Sequence, residues 1–242
     1  MWQNKKVAVV FPTYKEKFSI KRVIKEFYQS GFIDEIVVVD NNAEKGTEGE
    51  VKTTTARLIR ETQQGYGFAV RSGIRETNAD LIIIAEPDGS FDGRDVLKLL
   101  SYSDDFDMVF GSRTHLPLIR VGSDMTYVKR ILDVLLAKLV TYLYICSPIT
   151  DLGCTLRLTT NAAWKRIASE CNAKDGIFAT EWVLVAAINK VNFIEIPINF
   201  RPRVGNSTVS DTFIKKARWG IRKFYWIWKI WAYGVISGKL YR

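Results

Sequence analysis

Apolar positions fall into two alternating rhythms along the first half of the chain. Short runs rich in β-branched residues, at Lys6–Phe11, Glu35–Asp40, Ala56–Arg60, Leu81–Ala85 and Asp107–Phe110, read as strands. Leu81–Ala85 is apolar without interruption and holds three isoleucines in a row, as in a parallel strand buried on both faces. Between the runs the spacing lengthens to that of a helix. Ile20, Val23, Ile24 and Phe27 follow Ser19 as N-cap and stop before Gly31. Val70 and Ile74 follow Gly65-x-Gly67, and a further helix lies near Asp95–Ser101. Asn41–Gly49 reads as a polar loop. The order β-α-β-β-α-β-α-β predicts an α/β fold, a mostly parallel sheet with helices on both faces.

The second half is patterned differently. Leu116–Ser123 reads as a loop. Tyr127–Cys146 places Val128, Ile131, Leu135, Leu139 and Tyr142 at helical spacing, while Lys129, Arg130, Asp133 and Lys138 make it a poor membrane span. Asp151-Leu-Gly-Cys-Thr-Leu-Arg157 then precedes a helix from Asn161. Another helix starts at Thr180-Glu181 and carries Val183, Ala187 and Val191. Phe193–Phe200 is a late strand, ending in Arg201-Pro202-Arg203.

From Phe213 onward aromatic and basic residues interleave. On a helical wheel Lys215, Arg218, Arg222 and Lys229 form one stripe. Ile214, Ala217, Ile221, Phe224, Trp228, Trp231 and Val235 form a second, roughly 120° away. The pattern predicts one domain over 1–212 and a C-terminal amphipathic, aromatic-rich helix over 213–242. That helix suits a membrane interface, with aromatics at headgroup depth and cations towards anionic lipid. Packing on the domain is the competing reading.

Composition narrows the partners. Of the 242 residues 47% are hydrophobic and 25% charged, as in soluble globular proteins. The formal charge of +9 favours phosphates, nucleic acid or an anionic membrane. Nucleic acid is set aside because the tail cations lie on a helix with a broad apolar face. Cys146, Cys154 and Cys171 are too few and scattered for a disulfide framework or zinc site. The apolar run after the basic N-terminus spans only about six residues, a first strand rather than a signal peptide. His115 sits in a loop without an evident partner and reads as a surface residue.

The chemistry concentrates behind the fourth strand, in Glu86-Pro87-Asp88-Gly89-Ser90. Two acids one residue apart at the end of a buried strand are costly unless their charge is compensated. A hard cation such as Mg²⁺ compensates it, and the C-terminal edge of a parallel sheet is where such folds bind ligands. A polar turn built on Asp88-Gly89 is the alternative.

Several segments occur in one order: PTYKE, VVVD, GYGFA, the acid-x-acid strand, GSR, DLGCTLR and PINFRPRVGNS. Over residues 6–210 this resembles the inverting family-2 glycosyltransferases of GT-A (Rossmann-like) fold, in particular the dolichol-phosphate mannosyltransferase and polyprenyl-phosphate glycosyltransferase group. The resemblance implies that Pro12, Thr13, Glu16, Asp40, Gly65, Gly67, Glu86 and Asp88 bind a nucleotide sugar, with Ala69 in the same glycine loop. It implies Glu86, Asp88 and Ser90 as ligands of Mg²⁺ or Mn²⁺. Arg113, Arg130, Arg203 and Ser207 match positions near the acceptor phosphate, with Gly205 in the last loop. Asp88, Asp151, Arg113 and Arg203 carry catalysis in this reading, and Arg157 completes the D-x-x-x-G-x-R run. This chain departs from the pattern at Asn41, where a second acid is usual. It departs again at Glu86 for Asp, at Thr155 for glycine, and at Thr208 for lysine.

The expected reaction is transfer of a sugar from a GDP- or UDP-sugar to a polyprenyl or dolichyl phosphate, by a peripheral protein at the cytoplasmic face of a membrane. A hydroxyl acceptor is the alternative, and it requires a base, for which Asp151 and Glu181 are candidates. A nucleotide-binding membrane protein without catalysis is the third reading.

Overall fold

The computed structural model describes residues 1–205 and 213–241, with side chains described outside 213–216. Ser207 and Thr208 lie outside the described residues. Seven strands form one sheet in the order β3-β2-β1-β4-β6-β5-β7. They are β1 (Val7–Thr13), β2 (Glu35–Asp40), β3 (Arg57–Arg60), β4 (Leu81–Ile84), β5 (Met108–Ser112), β6 (Arg157–Thr160) and β7 (Phe193–Pro197). All run parallel except β6, which lies antiparallel between β4 and β5.

The period-two alternation of the strands divides the interior into two cores. Val7, Val9 and Phe11 of β1 meet α1 (Ile20–Tyr28) and α4 (Asp95–Tyr102) on one face. Ala8 and Val10 point the other way, towards α3 (Tyr66–Arg75), α6 (Asn161–Ile167) and α7 (Phe178–Ile188). A Cβ on Gly73 of α3 would run into Val10 and Val39, so glycine sets how closely α3 lies on the sheet.

Three elements depart from the sequence pattern. A short helix, α2 (Thr47–Lys52), occupies the predicted loop. It buries only Thr47 and Val51, too few apolar positions to mark a period, and is helped by Glu48 and Glu50 in its first turn. β6 forms at Arg157–Thr160, where the pattern gave no strand between the Asp151–Arg157 segment and the helix from Asn161. Arg157 is buried there, its guanidinium 5.2 Å from the Phe110 ring centroid and 5.6 Å from that of Trp182. α7 starts at Phe178 and ends at Ile188; it is buried on every side, so no amphipathic stripe marks its limits.

Two long helices lie over the second core. α5 (Tyr127–Tyr144) buries Asp133, Ala137, Val140 and Tyr144. The stripe of Val128, Ile131, Leu135 and Tyr142 that reveals this helix in the sequence is exposed. α8 (Phe213–Ile236) packs on α7 and α5. Ile227 and Ile230 are buried, and a Cβ on Gly234 would come within 2.9 Å of Ile188. The Tyr144 hydroxyl donates to the Ile227 carbonyl at 2.6 Å, and Lys223 pairs with Asp133 at 3.0 Å. The outer side of α8 bears Ile221, Phe224, Trp228 and Val235, all exposed. Trp231, placed with them by the wheel, packs on the core instead and donates to the Tyr241 hydroxyl. Among the described residues no helix is long and apolar enough to cross a membrane.

Candidate active site

The C-terminal ends of β1, β2, β4 and β5 bring the predicted residues to one edge of the sheet. Glu16 closes the loop after β1: its Oε2 accepts from the Thr13 hydroxyl at 3.1 Å and from the backbone of Tyr14 and Lys15 at 2.6 and 2.8 Å. Asp40, at the end of β2, accepts from the Ala43 backbone at 2.7 Å. Pro12 and Thr13 pair with Val39 and Asp40 across the two strands.

Asn41 explains one departure from the family pattern. Its amide donates to the carbonyls of Glu61 and Gln63 at 2.9 and 2.8 Å, while its oxygen accepts from the Gly65 backbone at 2.8 Å. An ionised aspartate has no donors for those two carbonyls. Asn41 therefore clasps the end of β2 to the glycine loop. That loop lies against a second backbone. Gly67 donates to the Lys174 carbonyl at 2.9 Å, and a Cβ on Gly65 or Gly67 would strike the carbonyls of Lys174 or Ala173. Gly65 also takes a φ of 146°, disfavoured for other residues.

The loop after β4 holds the acids. Asp88 is 2% exposed; its Oδ1 accepts from the Ser90 backbone at 2.9 Å, and its Oδ2 is buried without a hydrogen-bond partner. Burial first, and the Asp88 charge second, push the Glu86 carboxyl up to about 7. Arg203 faces both acids, its Nη2 3.2 Å from Asp88 and 3.8 Å from Glu86, while its Nε lies 2.6 Å from Asp124. Backbone bonds from Arg201 to the Ser90 carbonyl and from Val204 to the Asp88 carbonyl, each 2.8 Å, hold the Arg203 segment along the acid loop.

Arg113 and Asp151 meet across the site in a two-point ion pair, Nε to Oδ2 at 2.8 Å and Nη2 to Oδ1 at 2.9 Å. Burial would raise the Asp151 carboxyl, but the Arg113 guanidinium outweighs it and holds the group well below the usual range. Backbone donors from Arg113 and Gly153 complete its shell. A carboxylate so engaged is a counter-ion and a poor proton acceptor. Glu181, the other candidate base, is 2% exposed and accepts from the Ala173 backbone at 2.7 Å. Arg130 reaches the Thr114 carbonyl, next to Arg113, at 3.5 Å; its Nε is buried without a partner. His115 is exposed, as expected.

Sequence reasoning missed Glu195 and Lys223. Glu195 of β7 accepts from the Thr150 backbone and hydroxyl at 2.7 and 2.6 Å and from the Asp151 backbone at 2.8 Å. It thereby fixes the residue that holds Arg113. Its only signal was an acid in an otherwise apolar strand. Lys223 stands 3.2 Å from where a Gly153 Cβ would lie, carrying a tail cation to the Arg113 side of the site. No local pattern announces that contact.

Residues 8–120 match the glycosyl transferase family 2 model. The chain carries a family 2 glycosyltransferase domain. It is 26% identical over 212 residues to the low-salt glycan biosynthesis hexosyltransferase Agl6 of Haloferax volcanii, covering 85% of this chain and 50% of that protein. The chain thus spans half the length of that relative. It is 25% identical to the human dolichyl-phosphate beta-glucosyltransferase, covering 86% of this chain and 72% of the human protein. A UDP-N-acetylglucosamine–dolichyl-phosphate N-acetylglucosaminyltransferase of Methanococcus voltae is likewise 25% identical, over 81% of this chain and 85% of its own. In fold, the glycosyltransferase domain is similar to glucosyl-3-phosphoglycerate synthase of Mycobacterium tuberculosis. The TM-score is 0.73 at 13% identity, over 95% of this chain and 81% of the synthase, whose structure contains Mn²⁺ and UDP.

The acids suit a hard cation. Asp88 Oδ2, buried and without a hydrogen bond, and the crowded Glu86 carboxyl call for positive charge, which the Arg203 guanidinium supplies here, 3.2 Å from that oxygen. Among the described residues no group of three or more His, Cys, Asp or Glu is placed to hold a metal ion, so a cation would draw its remaining ligands from elsewhere.

Proposed function

We propose that this domain transfers a hexose, with inversion at the anomeric carbon, from a GDP- or UDP-sugar to the phosphate of a polyprenyl or dolichyl phosphate. The observation that carries the reading is the division of the sheet edge. Acids crowd behind β4, arginines flank them, and the two carboxylates suited by position to act as base are both engaged. A phosphate monoester is already an anionic nucleophile and needs positioning rather than deprotonation. A hydroxyl acceptor needs a base; Asp151 is held as the counter-ion of Arg113, and Glu181 is buried against the Ala173 backbone. The dolichyl-phosphate relatives support the same choice.

Mg²⁺ or Mn²⁺ would be held by Glu86 and Asp88, with Ser90 and the donor phosphates, and would neutralise charge on the departing diphosphate. Pro12, Thr13, Glu16, Asp40 and the Gly65–Gly67 loop would line the nucleotide. Arg113, held in place by Asp151, would join Arg130, Arg203 and Ser207 at the acceptor phosphate, where a guanidinium makes two-point contacts. Arg203, the counter-ion of Glu86 and Asp88 here, would turn to that phosphate once the donor is seated. The tail would bring the domain to the cytoplasmic face of a membrane as a peripheral protein.

A screen of UDP- and GDP-sugars against a short, soluble polyprenyl phosphate, read by mass spectrometry with Mg²⁺ or Mn²⁺ present, tests the reading. One donor should yield a polyprenyl-phosphate hexose. Failure of all donors, with the protein folded, contradicts it.

A further inference from the structure

α8 touches more than the core. Between the turn Ala168–Glu170 and α7, residues 171–177 form a segment without helix or strand. One side of this segment carries the glycine loop. The Gly67 N–H is a first-turn donor of α3 with no partner inside its own helix, and it donates to the Lys174 carbonyl at 2.9 Å. The lack of a Cβ at Gly65 and Gly67 lets both residues lie on the Lys174 and Ala173 carbonyls. Arg71, from the second turn of α3, donates to the Cys171 and Ala173 carbonyls at 3.1 and 3.0 Å. Loop and segment therefore meet largely backbone to backbone, and a shift of the segment shifts the loop.

The other side of the segment rests on α8. A Cβ on Gly176 would come within 3.3 Å of the Trp219 ring, so the indole lies against that glycine. Arg222, one turn further on, has its guanidinium 4.9 Å from the Trp219 ring centroid and pairs with Asp175 at 2.7 Å. Asp175 also accepts from the Ile177 backbone at 3.0 Å, which ties the ion pair to the approach to α7. Past the end of α8, Lys239 reaches Glu170 at 2.6 Å and the Asn189 amide oxygen at 2.9 Å, and so holds the turn from which the segment leaves. The Asp175–Arg222 pair is 44% and 42% exposed and counts for little by itself. Trp219, half-buried and packed on the core, carries more of the contact.

We propose that Trp219 and Arg222 of α8 are positioning residues for the nucleotide-sugar site. They act through residues 171–177, which hold the Gly65–Gly67 loop in place against the donor. The tail then has a task that needs no membrane. The inference rests on the proposed function in taking the glycine loop to face the donor, and nothing in it depends on the acceptor.

The test reads the loop and then its ligand. Hydrogen exchange of the full chain, followed by mass spectrometry over peptides spanning residues 64–70, reports the Gly67 N–H. Calorimetry with UDP and with GDP, each with Mn²⁺, reports the donor site. Trp219→Ala should speed exchange at the loop and weaken nucleotide binding, each about fivefold, with exchange in β1 and β4 unchanged. Arg222→Ala should act in the same direction, by about twofold. Trp219→Phe keeps a ring on Gly176 and should return both readings close to wild type. In transfer assays the loss should appear in the donor KM, while the KM for the short polyprenyl phosphate holds. If Trp219→Ala and Arg222→Ala leave loop exchange and nucleotide affinity at wild-type values, α3 holds the segment without the tail and the proposal is overturned. It is overturned as well if exchange rises equally in β1 and β4, because the tail then only stabilises the fold. A wild-type chain that binds neither nucleotide sinks the proposed function and this inference together; wild-type binding with indifferent variants sinks this inference alone.

Discussion

Replacing Glu195 by glutamine probes the scaffold of the basic half of the site. Burial raises the Glu195 carboxyl to about 7 from its ordinary 4.5, against hydrogen bonds from Thr150 and Asp151 that lower it. The folded chain then holds a proton between those values that the unfolded chain has released. The protonated-state stability is fully present below the unfolded value and is lost as pH rises through the folded one. At about 1.4 kcal/mol per pH unit, the loss approaches 3 kcal/mol between pH 5 and 8. Glutamine mimics the protonated acid and cannot ionise, so this loss is absent in Glu195→Gln. Its amide also turns a donor towards the Thr150 or Asp151 backbone N–H, costing about 1–3 kcal/mol at every pH. Urea unfolding of both proteins from pH 5 to 8 is the assay. The variant should be less stable at pH 5, and the gap should shrink or reverse by pH 8. Glu86, also raised to about 7, contributes the same slope to both curves and cancels in their difference. Parallel curves would refute the reasoning.

Other substitutions report on neighbouring parts. Asp151→Ala strands the Arg113 guanidinium, 11% exposed, and should cost about 3 kcal/mol in urea unfolding; a loss under 1 kcal/mol would class the pair with ordinary surface ion pairs. Arg203→Ala removes the charge 3.2 Å from Asp88 and should tighten Mn²⁺ binding about fivefold, roughly 1 kcal/mol, in titrations without substrate; unchanged or weaker binding refutes the competition. Asn41→Asp, though it restores the acid usual in the family, should destabilise the chain by about 2 kcal/mol, because it turns acceptors on the carbonyls of Glu61 and Gln63; a neutral thermal shift would sink that account.

The strands of the first half and the acid loop were legible because burial on both faces forces β-branched runs, and runs ending in polar residues announce the sheet edge. β6 was not, because its key residue is a buried arginine whose stacking partners, Phe110 and Trp182, are distant in sequence. The stripe on α5 gave the right helix, yet the face it marks is exposed: spacing records that a face is apolar and is silent on what covers it. The tail shows the same limit. Ile221, Phe224 and Trp228 are exposed, while Trp231 at the edge of the same stripe joins the core. In the site, Arg113, Arg130 and Arg203 were placed on one edge by the family pattern. The contacts that hold them, Arg113 with Asp151, Asp151 in turn with Glu195, and Arg203 with Asp124, are tertiary and no local spacing encodes them.

The central claim is that the nucleophile is a phosphate held by arginines. The most direct measurement offers the wild-type chain, with its active donor sugar and Mn²⁺, a short polyprenyl phosphate and the matching polyprenyl alcohol in separate reactions. The account predicts a mass-shifted product from the phosphate and none from the alcohol. Glycosylation of the alcohol at a comparable rate would contradict it.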